Sequence, residues 1–428
     1  MRQSFVIAIW LLATACPLFG QTEKENASSC ISCHLEIGDE MAVPVAGMKD
    51  DVHARQGLSC EDCHGGDPTV GFDGDAEASM NPEKGYIGVP ARKNIPQFCA
   101  RCHSDPDYMH RYNPRAATDQ LSNYKTSVHG KQLALGDTKV ATCIDCHGVH
   151  GIHEADDARS SVYALNLPKT CARCHADPEY MSSYGIPTDQ AEEYSQSVHG
   201  VALLEKGDQA APTCNDCHGN HGATPPGAPS IAFVCGQCHL NNSELFFESP
   251  HKAAFQELDL PECKTCHGSH DIQHPTDEML GAGEGSICTD CHDEGSQGLI
   301  TAIALKQRID ELEDKITEAD SLLKTAERAG MQVTEATFQL KDAEDALIRS
   351  HTIVHSLSIE DMEEVAGEAL KLSEAAHVAA IAALDELQFR RKGLAFSLVF
   401  ILLLAGGLYF RIKEVDKKHP FRKYGSSE

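Results

Sequence analysis

The chain has 428 residues, enough for two or three domains, and carries 64 acidic against 36 basic side chains for a formal net charge of −28. An excess of that sign repels nucleic acid and anionic membrane surfaces, so it sets aside a nucleic-acid role and favours neutral or basic protein partners. One tryptophan and 6% aromatic residues are too few for an ordinary apolar core of this length. Something other than side chains must fill the interior.

Residues 1–20 begin with Arg2, continue through the apolar run Phe5 to Ala15 and end in Pro17, Leu18, Phe19 and Gly20. This reads as a secretory signal peptide cleaved after Gly20. Leu12 to Cys16 faintly resembles a lipoprotein cleavage box, although Ala13 stands where a larger aliphatic residue is usual.

Residues 30 to 292 then repeat one motif, CxxCH, nine times, which uses every cysteine except Cys16. The cysteine pairs are Cys30 and Cys33, Cys60 and Cys63, Cys99 and Cys102, Cys143 and Cys146, and Cys171 and Cys174, followed by Cys214 and Cys217, Cys235 and Cys238, Cys263 and Cys266, and Cys288 and Cys291. Each pair is followed at once by a histidine: His34, His64, His103, His147, His175, His218, His239, His267 and His292. This is the attachment signature of c-type haem. Two thiols a short turn apart bond the two vinyl groups of one porphyrin, and the adjoining histidine lies under the iron as proximal ligand. A zinc site has no need of histidine after every second cysteine. A thioredoxin-like CxxC occurs once per site, and a disulfide framework has no reason to repeat one spacing nine times. The expected cofactor content is therefore nine haem c groups, which also supply the missing buried surface.

The motifs come in doubled repeats of roughly seventy residues, starting at Cys30, Cys99, Cys171 and Cys235, with a fifth repeat cut short after Cys288. Their boundaries are 30–98, 99–170, 171–234 and 235–287, with the ninth motif at 288–292, inside a haem domain spanning 21–295. Glycine, proline, aspartate and asparagine are frequent between the motifs, so short helices and loops with little strand are expected.

Ten further histidines lie in this region: His53, His110, His129, His150, His153, His199, His221, His251, His270 and His274. Nine irons with two imidazoles each need nine of them as distal ligands. His53, His129, His199 and His251 precede the second motif of a repeat, and His150, His221 and His270 follow it as CHGxH. Those seven are the leading candidates; His110, His153 and His274 lack counterparts in most repeats. The supply is uneven, so complete ligation requires some ligands to cross between repeats. His64 is followed by GGD, so its iron must borrow a ligand or stay open, and no spare histidine lies beside His292. Met109 and Met181 recur in DPDYM and DPEYM and are read as packing residues.

After His292 the composition turns helical. Ala302, Leu305, Ile309, Leu312, Ile316, Ala319, Leu323 and Ala326 alternate steps of three and four, and Gly330 ends that helix. A second seam runs Val333, Ala336, Leu340, Ala343, Leu347, Val354 and Leu357, with Ser350 at a core position, and SLSIED marks a stop and a new N-cap. These helices (296–393) can pack as a hairpin or three-helix bundle, or form the stalk of a homo-oligomer. His351 and His355 are four apart beside the second seam and are read as helix-surface residues, with coordination of a metal or a reach back to the ninth haem as the alternatives. The third helix continues into LAFSLVFILLLAGGLYF within 394–412, long enough to span a membrane, and residues 413–428 form a basic tail on the cytoplasmic side.

The doubled motif with SVHG before CxDCHGxH resembles the multihaem c-type cytochromes of bacterial respiratory chains, over about residues 30 to 292. The resemblance implies that the matching histidines are distal ligands and that the haems lie in near-contact pairs forming a conducting chain. Long helices after the haems also resemble pentahaem nitrite reductases and octahaem hydroxylamine oxidoreductases, but no CxxCK motif is present. The expectation is a mainly α multihaem array with one transmembrane helix. It carries electrons between a respiratory membrane complex or quinol pool and periplasmic or extracellular acceptors, from an inner-membrane anchor. The alternative is a reductase of nitrogen or sulfur compounds acting at one open haem.

Overall fold

The computed structural model describes residues 28–71, 75–225 and 231–418. The expected signal peptide and Cys16 lie outside the described residues, as does most of the basic tail. The described chain is helical, with no strand among the described residues. It forms two compact units, one running to Arg173 and taking in Gly219–Thr224, the other made of Cys174–His218 and the chain from Pro225 onward.

In both units the motifs lie on short helices whose ends the local sequence dictates. Three second-of-repeat motifs follow the pattern Ser/Thr-Cys-x-Asp-Cys-His, on helices Cys60–His64, Cys143–His147 and Cys214–His218. There the aspartate reaches back to accept the N–H of the residue before the first cysteine: Asp62 from Ser59 at 2.7 Å, Asp145 from Thr142 at 2.6 Å, Asp216 from Thr213 at 2.7 Å. A donor left free by the helix start is thereby satisfied, and the first cysteine is fixed at the first helical position.

The SVHG element is built with equal economy. Ser127 and Ser197 are buried, and their hydroxyls accept the N–H of Gly130 and Gly200 at 2.9 and 3.0 Å. The glycines are required because a β-carbon there would collide with the backbone carbonyls of Tyr124 and Tyr194. Those tyrosines in turn donate their hydroxyls to Ala141 and Pro212 just ahead of the next motif. Serine, histidine and glycine therefore sit in one turn that pins the histidine.

Three long helices close the second unit: α1 (Gln297–Arg328), α2 (Thr334–Ile353) and α3 (Ile359–Lys418). Every residue of the first predicted seam is buried, with Leu305, Ile309 and Leu312 wholly so. The helices α2 and α3 add Ala336, Leu340, Ala343 and Ala346, then Met362, Ala366, Ala369, Ala376 and Ala380, to the same core. The sequence left open a hairpin, a bundle or a stalk; the three helices pack on one another as a bundle within one chain. Alanine dominates α3's inner face, which lets the backbones approach closely. Ser350 and Ser373 are wholly buried in this apolar seam, and each hydroxyl donates to the carbonyl four residues back, at 3.0 Å. That bond satisfies the hydroxyl without a partner from another helix.

At about 1.5 Å per residue, the 60 residues of α3 extend about 90 Å. Its distal part from Leu394 to Phe410 is exposed and apolar, with a mean hydropathy of 2.2 over its best 18 residues and none of that window buried. By length and composition it can cross a membrane.

Candidate functional site

The structure brings motif histidines together with spare histidines in pairs. In the first unit His53 lies opposite His103, His64 opposite His150, and His147 opposite His221, with ring centroids 5.9, 6.3 and 6.1 Å apart. In the second unit the pairs are His199 with His239 at 6.3 Å, His218 with His270 at 6.0 Å, His251 with His292 at 5.8 Å and His267 with His355 at 6.1 Å. An imidazole nitrogen binds a metal at about 2.0 Å and lies about 1.1 Å from its ring centre, so two rings on opposite sides of one iron have centroids about 6.2 Å apart. All seven separations match that value. Among the described residues no three His, Cys, Asp or Glu side chains converge to hold an ion directly, and the motif cysteines form no disulfide. At these seven motifs the residues fit a flat macrocycle held between two imidazoles and two thiols.

A register emerges from the pairs. The histidine ahead of a repeat's second motif faces the first motif of the next repeat: His53 faces His103, His199 faces His239, and His251 faces His292. The CHGxH histidine faces backward, to the second motif of the previous repeat: His150 faces His64, His221 faces His147, and His270 faces His218. The two kinds of donor are tied by one backbone bond that recurs. Val52 donates to Ile152, Val128 to Ala223 and Val198 to Ile272, at 2.7, 3.0 and 2.9 Å. His129 stands in this same context, on helix Val128–Ala134. Thus His64, which has no CHGxH histidine in its own repeat, faces His150 from the second repeat, and His292 faces His251.

His110, His153 and His274 are placed differently. The His110 ring contacts the carbonyl of Ala116 at 3.3 Å, and His274 that of Pro275 at 2.9 Å. His153 lies 4.0 Å from Asp157. Met181 is buried, as a packing residue should be.

Second partners orient the rings, as metal-binding imidazoles require. His64 Nδ1 lies 2.8 Å from the carbonyl of Gly88. Asp51, wholly buried, accepts from the His53 N–H and lies 2.8 Å from His53 Nδ1 with the same oxygen. Its other oxygen accepts the N–H groups of Gly151 and Ile152, beside His150. Burial opposes ionisation of Asp51, and these hydrogen bonds overcome it, holding its pKa below the usual value. Burial first, and then the facing ring, push the pKa of His103, His147, His199, His251, His267 and His270 down. Neutral imidazole is the form that binds metal.

The sequence of residues 15–65 matches a family described as cytochrome c554 and c-prime. A C-type polyheme cytochrome, OmcC of Geobacter sulfurreducens, is 21% identical over 206 residues, which cover 41% of this chain and 25% of that relative. In its nine CxxCH motifs and in these two matches the chain is similar to multihaem c-type cytochromes. It matches a quarter of its relative's length, and no solved structure matches it.

Neighbouring motifs lie close together. As free thiols, Cys60 is pushed up by burial and then by Cys30, Cys63 by burial and then by Cys102, and Cys99 by its hydrogen bond with Cys143. In the second unit Cys217 is pushed up to about 11 by burial and then by Cys235, Cys263 is raised by its hydrogen bond with Cys235, and Cys266 is pushed up to about 11 by burial and then by Cys288. Each motif therefore adjoins its neighbour in sequence, from first to fourth and from sixth to ninth. The CARCH arginines reinforce this, Arg101 donating to the carbonyl of Cys63 at 2.5 Å and Arg173 to that of Asp145.

Sequence reasoning missed the roles of Asp51 and of these arginines, and the pairing of His355. It also missed Gly298, in the first turn of α1, where a β-carbon would run into the His292 ring. Gly298→Val is expected to push His292 away from His251 and to open that site. An added high-spin signal in electron paramagnetic resonance (EPR) of the oxidised protein would report it; an unchanged spectrum would contradict it.

Proposed function

We propose that this cytochrome holds nine haem groups and passes single electrons along them in sequence order within each unit, from a membrane-bound donor to acceptors outside the cytoplasm. The adjacency of successive motifs is the observation that carries this reading. When bound, the haems supply one-electron Fe(III)/Fe(II) chemistry. The chain's own residues set the spacing between centres, hold two imidazoles at each paired site, and exclude other ligands from it. An anchor in α3 would hold the array at the inner membrane with the haem domain in the periplasm, because c-type haem is attached outside the bacterial cytoplasm. There a quinol-oxidising or other respiratory complex can feed it. Purification from detergent-extracted membranes with no redox subunit attached would argue against that donor.

The mass of the mature chain is expected to exceed that of the polypeptide by nine haem additions. A clear shortfall would overturn the nine-haem reading.

A second reading, reduction of a nitrogen or sulfur compound at one open iron, has one specific support. Among the described residues the facing imidazole pairs take in seven motif histidines, and His34 of CISCH is not one of them. A high-spin EPR signal in the oxidised wild-type protein, lost when Cys30 and Cys33 are replaced, would favour that reading; nine low-spin irons would remove it.

A further inference from the structure

The backward-facing donors run out before the motifs do. Each second motif of a repeat faces a CHGxH histidine of the next repeat, but His292 of the truncated fifth repeat is followed by DEGSQG. CKTCH, ending at His267, therefore has no donor of that kind. The ring that faces His267 instead is His355, from the turn between α2 and α3, with centroids 6.1 Å apart and planes 23° from parallel.

Several features make this a built site. The helix α2 stops at Ile353, a tight 3₁₀ turn (Val354–Ser356) follows, and Leu357 closes it in the left-handed region at φ 53°. A leucine in that conformation costs about 1–2 kcal/mol, and the chain accepts the cost to leave the helix at this point. The turn lets His355 Nδ1 meet the carbonyl of Thr352 at 2.9 Å, the bond that leaves Nε2 free to bind a metal. The Asn242 amide lies 3.3 Å from Nδ1 and 3.5 Å from Nε2 of the same ring. Asn242 belongs to helix Leu240–Glu248, which begins directly after the motif histidine His239 and packs on the 3₁₀ turn. His351 is drawn to the haem region too, through an ion pair with Asp277 at 3.1 Å.

We infer that His355 is the distal axial ligand of the haem held by Cys263, Cys266 and His267, so that the helical bundle supplies the ligand the repeats cannot. The inference rests on the haem reading above. It makes the bundle part of the electron path's ligand set rather than a spacer, and it links the folding of the bundle to the state of the eighth site.

His355→Ala in the full-length holoprotein tests it. The expected result is conversion of about one iron in nine from low to high spin by EPR, with haem mass unchanged, and return to low spin when imidazole is added. His351→Ala, one turn away, should leave the spectrum as in wild type. His355→Met provides a second route if the alanine variant folds poorly, because methionine ligation adds a near-infrared iron–sulfur band. Wild-type low-spin spectra in both His355 variants would overturn the assignment. A haem mass short of nine in the wild-type protein would count against the underlying reading instead.

Discussion

Replacing Asp51 by alanine is expected to cost the first unit about 3–5 kcal/mol and to disturb two haem sites together. The carboxylate is wholly buried, and one oxygen holds His53 while the other holds the Gly151 and Ile152 amides beside His150. Its loss leaves three partly buried backbone N–H donors, those of His53, Gly151 and Ile152, unpaired, at about 1–3 kcal/mol each, and frees both rings from their positions. His53 serves His103 and His150 serves His64, so the second and third sites fall together. The His53–His103 planes cross at 84°, close to perpendicular, whereas the His147–His221 planes are 13° apart. Crossed imidazoles leave two iron d orbitals nearly degenerate, which gives an unusually anisotropic low-spin signal. That signal should vanish in Asp51→Ala, and the melting temperature should fall. Asp51→Asn should lie between, since one oxygen can still accept while the amide faces a donor. Retention of the anisotropic signal in Asp51→Ala would show that Asp51 does not position His53.

Leu312→Asp is expected to unfold the three-helix bundle. Leu312 is fully buried at the middle of the α1 seam, between Ile309 and Ile316. An aspartate there must lose its hydration or force the helices apart, and removing the leucine alone costs about 2–5 kcal/mol. The helical circular-dichroism signal should drop and its thermal transition broaden. Sites of the first unit should keep their low-spin spectra, which separates collapse of the bundle from general misfolding. If His355 serves the eighth site, one iron of the second unit should open as the helices separate.

Much of this architecture was written in local patterns. Nine CxxCH motifs declare the cofactor, and the three-four alternation from Ala302 to Ala326 names the buried face of α1 residue by residue. The SLSIED stop is also visible, with the Ser358 hydroxyl accepting the N–H of Asp361 at 3.1 Å. Pairing was not visible in the same way, because it joins residues such as His53 and His103 across a repeat boundary, and no local preference encodes that distance. Asp51 did leave a signal. It occupies the capping position before Val-His that Ser127 and Ser197 occupy elsewhere, so DVH and SVH are one element with two caps. His355 was harder to find. The apolar seam runs on past it through Val354 and Leu357, which disguises the turn as continuing helix.

The direction of donation has a consequence for biogenesis. A chain exported from its N-terminus delivers His53, His199 and His251 before the motifs they face, so those sites can close as soon as they emerge. The sites at His64, His147 and His218 must wait for the following repeat, and the one at His267 waits for residues beyond the second long helix. A translocation intermediate therefore always trails one unfinished centre behind its growing end, and only arrival of the turn at His355 completes the last of them. Internal repeats can also be gained or lost without orphaning a neighbouring centre, because the second, third and fourth each bring one forward and one backward donor of their own.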